Sequence, residues 1–483
     1  MTQTKNTLPK KEDDISKWYL AVIEQARLAD YGKTKGTIIL RPYGYALWEN
    51  IQACLDPLFK KHGVENAYFP LLIPYSLLEK EKKHVAGFSP ELAIVTIGGG
   101  EELTEKLVVR PTSETIMYDA FANWIESYKD LPLKINQWCN VVRWELRTFP
   151  FLRGSEFLWQ EGHTVHKTNE EAQAMTLQAL DWYRAFYEDV LAISPYVGEK
   201  SGSERFAGAD RTFSIELVIP DGKALQAATS HNLGQNFSKS FKIQYSDENN
   251  KQQYPFQTSW GLSTRSIGGL ILSHGDDNGL IMPPRIAPYQ VVIIPIDSRS
   301  DETNREIKVM VKKLEGVFEK NQIRFLVMDD YDKTIGYRLN TSEIMGIPIR
   351  IEVGGDEVAK NSLTVSDRIL LKKRHIPFDG IVEAMEDTME MVQKELLKLS
   401  KFNKENKTKE VETFEEFEKI MLEDKQFIRA FWCESSTCES KIKEKTTATT
   451  RVIELDRMND NHKGSCIYCG NPARRKWLFA QSY

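Results

Sequence analysis

Residues 137–166 read QWCNVVRWELRTFPFLRGSEFLWQEGHTVH, and the alternation in them predicts two strands joined by an arginine-bearing loop. Val141 to Glu145 has the composition of a strand, which turns Arg143 and Glu145 to one face. After a loop holding Arg147 and Arg153, a second run carries Phe157, Trp159, Glu161 and His163, again on one face. Two antiparallel strands with arginines between them make a phosphate cradle, because a guanidinium fork matches phosphate oxygens. Taken by itself the stretch reads equally as an ordinary hairpin with surface salt bridges.

Outward from this hairpin the patterning predicts an α+β domain over residues 1–285, an antiparallel sheet with helices against it. Leu47, Ile51, Leu55 and Leu58 recur at helical spacing in Gly44 to Lys61, and Gly63 is placed to end that helix. Val64 to Leu72 reads as a strand with Pro70 near its far end. Thr168 to Ile193 predicts a long amphipathic helix, capped by Thr168 with Glu170 and Glu171 in its first turn. Thr212 to Ile219 and Lys223 to His231 flank the turn residues Asp221-Gly222 as a hairpin.

Beyond Pro283-Pro284 the pattern changes. Val291 to Ile296, Ile323 to Met328, Ile349 to Val353 and Ser362 to Val365 read as strands. Glu302 to Lys320, the stretch around Gly336 to Met345 and Val382 to Leu399 read as helices. The alternation predicts a compact α/β domain over 286–400. The lysine-rich run Lys401 to Lys409 reads as a solvated linker, and a third domain fills 401–483. Four of the six cysteines lie there: Cys433 and Cys438 as C-x4-C, then Cys466 and Cys469 as C-x2-C. Four thiolates at those spacings predict a structural zinc site, with two pairs of free thiols as the alternative.

The 483 residues agree with about three domains at roughly 150 residues each. With 41% hydrophobic and 28% charged residues and a net charge of −5, the chain is globular in composition and carries no bulk positive field. A nucleic acid would have to be held by a local patch. The polar N-terminus lacks the apolar core of a signal peptide, and no apolar run approaches the ~20 residues that span a bilayer. A cytoplasmic location is expected, with no membrane contact.

Three further segments carry candidate chemistry. In Arg110-Pro111-Thr112-Ser113-Glu114 the hydroxyl of Thr112 and the carboxylate of Glu114 together suit an ammonium group. A cap opening a helix at 114 would look similar. Gln226, Thr229 and His231 lie on one strand, but strict alternation puts Gln226 on the face opposite the other two. Either a bulge intervenes or one of the three is not in the site. Arg265 opens an apolar helix, adding a guanidinium to a helix N-terminus already favourable for anions.

Together the runs RPTSET, VVRWE, FLRGSEFLWQEGHT, ALQAATSHNLGQNFSK, SWGLSTRSIGGLILSHGDDNGL and APYQVVIIPI resemble the class II aminoacyl-tRNA synthetases. Within that class the chain is similar to prolyl-tRNA synthetases of the archaeal/eukaryotic-like type, from about residue 16 to Tyr483. The resemblance implies ATP-dependent attachment of L-proline to tRNA(Pro) through prolyl-adenylate. It implies Thr112 and Glu114 in proline recognition, Arg143 bridging the proline carboxylate and the ATP α-phosphate, and Glu145 accepting from the adenine amino group. Arg153 and Arg265 would clamp the far phosphates, with Arg143 and Arg265 as the catalytic pair. Gln226, Thr229 and His231 would line ribose, Mg²⁺ and substrate. Trp159, Glu161, His163 and Trp260 would wall the amino-acid pocket.

The resemblance also implies a homodimer, built on the long helix and the strand ending at Pro70, and a terminal tyrosine whose carboxylate folds back toward the site. Residues 286–400 would bind the anticodon, with Arg338 and Lys373 as candidate contacts. Gly154 departs from relatives that carry threonine after the loop arginine. The 119 residues between Glu145 and Arg265 are too few for the large editing insertion of bacterial-type members. The runs FLWQEGH and ATSHNLGQNFSK argue against a threonyl, seryl or glycyl enzyme. The presence of Arg143, Glu145 and Arg265 argues against a catalytically dead relative, and the net acidity against a non-catalytic zinc protein on nucleic acid.

Overall fold

The computed structural model describes residues 8–84, 92–145 and 147–483, and the hairpin quoted above lies inside a sheet of eleven strands. In chain order these are β1 (Glu65–Asn66), β2 (Leu133–Val142), β3 (Glu156–His166), β4 (Tyr196–Glu199), β5 (Arg211–Val218), β6 (Ala224–Gly234), β7 (Phe256–Ser263), β8 (Thr408–Glu410), β9 (Phe427–Trp432), β10 (Ala448–Glu454) and β11 (Arg475–Gln481). Across the sheet they run β8-β9-β11-β10-β4-β5-β6-β7-β3-β2-β1. The pairs at the two edges are parallel and the rest antiparallel.

Two helices cover one face. The first, α1 (Pro42–Lys61), opens on Pro42, where the missing N–H is no loss, and buries Leu47, Ile51, Leu55 and Phe59. The short helix α2 (Glu114–Trp124) follows the segment Arg110 to Ser113. On the same face as α1 lies α3 (Asn169–Ala185), whose cap Thr168 accepts from Glu171 N as its sequence predicts. The Trp182 ring of α3 packs 6.1 Å from Trp260 and 5.3 Å from Phe59, tying both helices to the sheet. Helix α4 (Arg265–His274) follows β7 directly.

Two expected strands are shorter than their sequence suggests. Val64 to Leu72 pairs with β2 at Glu65 and Asn66. Pro70 has no N–H for a ladder, and side chains take over: Gln137 Oε1 accepts from Phe69 N, and Arg110 Nη1 donates to Phe69 O at 2.7 Å. Val141 to Glu145 likewise leaves the sheet after Val142. Arg143 N still donates to Ser155 O at 2.8 Å, and beyond it the chain becomes the loop.

Residues 291–377 form a five-stranded mixed sheet, with Val291–Pro295 second from one edge between parallel neighbours Phe325–Val327 and Ile349–Val353. Arg338 is turned inward here, its Nη1 donating to Pro295 O at 2.9 Å and Met328 O at 3.0 Å. That burial corrects its reading as a surface contact. Lys373 is half exposed and pairs with Glu352 at 2.6 Å.

The expected linker is absent. Helix α5 (Ile381–Asn406) runs through Lys401 to Asn406, a stretch with no Gly or Pro to stop it. Lys404 anchors its end by donating to Pro195 O at 3.2 Å. The last domain is continuous with the first, because β10 pairs with β4 through Ile453↔Glu199 and Glu454↔Gly198. Its helix α6 (Ser436–Thr446) packs on β10.

Candidate active site

The sheet face opposite α1 and α3 carries a cavity of about 250 Å³. Cross-strand register builds its floor in rows. Glu161 of β3 faces Gly261 of β7, which faces Thr229 of β6; the next row is His163, Ser259 and His231. The third row pairs Trp159 with Ser263, and Gln226 lines the same cavity. Gln226 joins because a bulge lies between Ile215↔Ala228 and Glu216↔Gln226, making Ala227 the extra residue. This resolves the alternation conflict: one inserted residue returns Gln226 to the face of Thr229 and His231.

Ten of the thirteen expected substrate and ATP residues present side chains to this one cavity: Thr112, Glu114, Arg143, Trp159, Glu161, His163, Gln226, Thr229, His231 and Arg265. Trp260 reaches it by its backbone alone. Its indole lies on the other face, over Gly162, where even a Cβ would come within 2.0 Å of the ring. Trp260 is therefore core, and its reading as a pocket wall is corrected. Glu145 and Arg153 stand outside the cavity and pair with each other at 3.9 Å.

Electrostatics divides the cavity into two ends. At one end Arg265 donates through Nε to Leu152 O and through Nη1 to Gln226 O, each at 3.2 Å. Burial, then the nearby charges of Arg143 and Arg153, hold its pKa down. Three guanidiniums that oppose one another favour an anion among them. Arg143 is fixed by Nε donating to Pro111 O at 3.0 Å, with its guanidinium 5.5 Å from both the Phe157 and Trp159 rings. Glu114 and Glu161 favour its charge.

At the other end the groups are neutral or internally satisfied. The Glu161 carboxylate is buried and takes bonds from Ser113 Oγ, Gln137 Nε2 at 3.0 Å and His163 Nε2 at 3.2 Å. Burial alone would raise its pKa; these donors outweigh that and lower it. With His163 Nε2 donating, its Nδ1 accepts from Tyr118 OH at 2.9 Å. His231 is held neutral, its pKa pushed down to about 3, chiefly by burial and further by the Lys200 charge. Thr212 Oγ1 accepts from Phe206 N at 3.0 Å and is hydrogen-bonded to His231 Nδ1 at 3.0 Å, which fixes the ring and leaves Nε2 toward the cavity. Glu114, first residue of α2, accepts from the Thr112 hydroxyl. One carboxylate and one hydroxyl thus meet beside Arg143, an arrangement that takes a zwitterion: cation toward Glu114, anion toward Arg143.

Residues 96–274 match the family described as the tRNA synthetase class II core domain (G, H, P, S and T), residues 290–388 the anticodon binding domain, and residues 414–483 the prolyl-tRNA synthetase C-terminal family. A proline--tRNA ligase of Borreliella burgdorferi (strain B31) is 47% identical over 99% of both chains. Proline--tRNA ligase 2 of Clostridioides difficile (strain 630) is 45% identical over 99% of this chain and 98% of its own. The chain belongs to the prolyl-tRNA synthetases. The crystal structure of the Cryptosporidium parvum prolyl-tRNA synthetase complexed with halofuginone and AMPPNP superposes with a TM-score of 0.94, at 41% identity, over 98% of this chain and 99% of that one.

For a synthetase of this family, the cavity also contains residues that the sequence reading missed. Phe157 is not one of them, since alternation already put it on this face. Lys200, Glu204, Phe206 and Thr212 come from the β4–β5 loop and β5, and no motif pointed to them. The departure at Gly154 has a local cause: a Cβ there would lie 2.9 Å from Glu156 O.

The cysteines converge as their spacing predicts. All four sulfurs lie within 4.8 Å of one another. Cys433 Sγ is 3.6 Å from that of Cys438 and 3.8 Å from that of Cys469. A tetrahedron with metal–sulfur bonds of about 2.3 Å has edges of about 3.8 Å, close to both of these separations, so the set closes on a zinc ion with small shifts of its sulfurs.

Proposed function

We propose that the chain activates L-proline with ATP and transfers it to tRNA(Pro) in this cavity, and that the residues described above act as follows. The observation that carries the reading is the pairing of an arginine-lined anion end with Thr112 and Glu114 on the two sides of Arg143. Glu114 and Thr112 hold the proline imino group. Arg143 holds the proline carboxylate against the ATP α-phosphate. Arg265, fixed at the start of α4, meets a far phosphate. At the mouth, Glu145 accepts from the adenine amino group and Arg153 meets the other far phosphate. Gln226, Thr229 and His231 line ribose and substrate, while Trp159, Glu161 and His163 shape the wall.

A carboxylate oxygen of proline forms a bond to the α-phosphorus, the bond to the bridging oxygen breaks, and pyrophosphate leaves. The terminal ribose hydroxyl of the tRNA then attacks the acyl carbon, and AMP leaves. No protein nucleophile takes part; the chain supplies position and charge. Mg²⁺ entering with ATP would neutralise the phosphates, and Gln226 offers a hard oxygen donor at that end.

Finer features belong to the same reading. The short span between β3 and α4 supports the archaeal/eukaryotic-like type without an editing insertion. The exposed Tyr68, Leu72 and Trp124 beside the Pro70 segment support a homodimer interface there. Six unpaired cysteines suit a reducing cytoplasm, and no helix among the described residues is long and apolar enough to cross a membrane.

Amino-acid-dependent ATP–pyrophosphate exchange with all twenty amino acids tests the reading. Exchange with proline is expected, with weaker alanine or cysteine signals because a small pocket discriminates poorly by size. No exchange with any amino acid would overturn it. The metal site has its own test. The purified chain is expected to carry about one zinc by elemental analysis, and Cys466→Ser well below one. Full occupancy in that variant would exclude the four-thiolate site.

A further inference from the structure

The loop of residues 200–210 between β4 and β5 brings Lys200, Glu204 and Phe206 to the cavity wall. Its ends are tied to the sheet, Lys200 N donating to Thr212 O and Asp210 N to Asn232 O, each at 2.8 Å. Its middle is tied to the last domain. Ser201 Oγ donates to Glu439 Oε1 at 3.2 Å, and Ser203 Oγ donates to Glu439 Oε2. Thr450 on β10 adds its hydroxyl, and its backbone N–H at 3.4 Å, to Oε1 of the same carboxylate.

Glu439 sits in the first turn of α6, next to Cys438, and is only 4% exposed. Its partners are three hydroxyls and one amide. Burying a carboxylate is costly, and an apolar residue of similar size would fill the space at least as well. Packing therefore does not account for it. What the carboxylate does is grip two serines more than 230 positions away in sequence.

That grip bears on one end of the cavity. The Phe206 ring packs against His231 with centroids 4.6 Å apart and planes tilted by 32°, and Phe206 N donates to the Thr212 hydroxyl that orients His231. Gln226 and Arg265 lie at the other end, roughly 15 Å away by the rise of β6. We infer that Glu439 is a positioning residue for the amino-acid end of the cavity: by holding Ser201 and Ser203 it sets Phe206 and Glu204 against His231. The inference rests on the proline-activating reading given above.

The test is pyrophosphate exchange on the full-length chain, varying proline and ATP separately. Glu439→Ala is expected to raise KM for proline at least about tenfold, since small misplacements of positioning groups have large effects. KM for ATP and kcat should stay within about twofold. Glu439→Gln, which can still bond the hydroxyls, should recover most of the loss. Ser203→Ala should show the same signature, smaller, with the last domain unaltered. A merely structural role would lower the thermal midpoint and the active fraction, hence kcat, and leave both KM values alone. If Glu439→Ala does not fold, Ser203→Ala decides. Unchanged KM for proline in every variant that folds, with normal wild-type exchange, overturns the inference. Absence of proline-dependent exchange in the wild type overturns the functional reading instead.

Discussion

Arg143→Ala is expected to lower proline-dependent pyrophosphate exchange by about 10²–10³-fold or more, the cost of removing one preorganised charge from a developing transition state. The fold should survive. The backbone of Arg143 completes the hairpin through Ser155, while its side chain makes one bond, to Pro111 O. The loss should fall mainly on kcat, because in the role proposed above the guanidinium serves carboxylate and phosphate together and that demand peaks as the new bond forms. Arg143→Lys should recover little, since an ammonium cannot fork between two anions as the guanidinium beside the Phe157 and Trp159 rings can. Near-normal exchange in Arg143→Ala would remove the residue from the reaction. An unchanged circular dichroism spectrum and thermal midpoint would confirm that activity, not folding, was lost.

Much of this site was legible because period-2 alternation is robust wherever a strand is long and two-faced. Trp159, Glu161 and His163 emerged on one face from spacing alone, and Thr229 and His231 likewise. Gln226 exposes the limit. A single bulge inverts the face of every residue beyond it, and nothing in Ala227-Ala228 announces one. Trp260 shows a second limit. The family resemblance suggested a pocket wall, but the small residue opposite it, Gly162, opens space for the indole on the core face. A cross-strand pairing decides that, and one strand's sequence does not contain it.

What was illegible is mostly long-range. The lysine-rich run after Leu399 has the composition of a linker, yet lacks any helix breaker, and tertiary anchoring of Lys404 kept α5 going. The edge of β4 that receives β10 could not be found from either segment alone. Lys200, Glu204 and Phe206 carry no motif, because their role follows from Glu439 and Thr212, which approach from distant parts of the chain. Arg338 was misread for the same reason: a charged side chain facing inward looks, in sequence, like one facing water.

Arg451→Ala is expected to destabilise the chain by about 3–5 kcal/mol at neutral pH, the usual result of removing one partner from a buried ion pair. Arg451 on β10 donates to Glu216 Oε2 through Nε at 3.1 Å and Nη2 at 2.8 Å, and Lys200 Nζ meets Oε1 at 3.0 Å. All three side chains are almost wholly buried. Burial would raise the Glu216 pKa, but Arg451, then Lys200 and the bond from Ser214, bring it down to about 2 from an ordinary 4.5. A depressed carboxyl pKa stabilises the fold fully above the ordinary value and loses that contribution as pH falls through the folded one. The difference between wild type and Arg451→Ala in urea unfolding should therefore be full at pH 7 and shrink between about pH 4.5 and 2. A difference that is flat with pH would mean that Arg451 acts by packing. A further variant separates stability from function. Replacing Lys200, Glu216 and Arg451 together by Met, Leu and Met should restore most of the stability, since no buried charge is left unpaired. It should not restore activity, because Lys200 lines the cavity and Glu216 favours the charge of Arg265. Recovery of both would show that the triad only joins two domains. Recovery of stability alone would show that the last domain reaches into the active site through charge as well as through its strands.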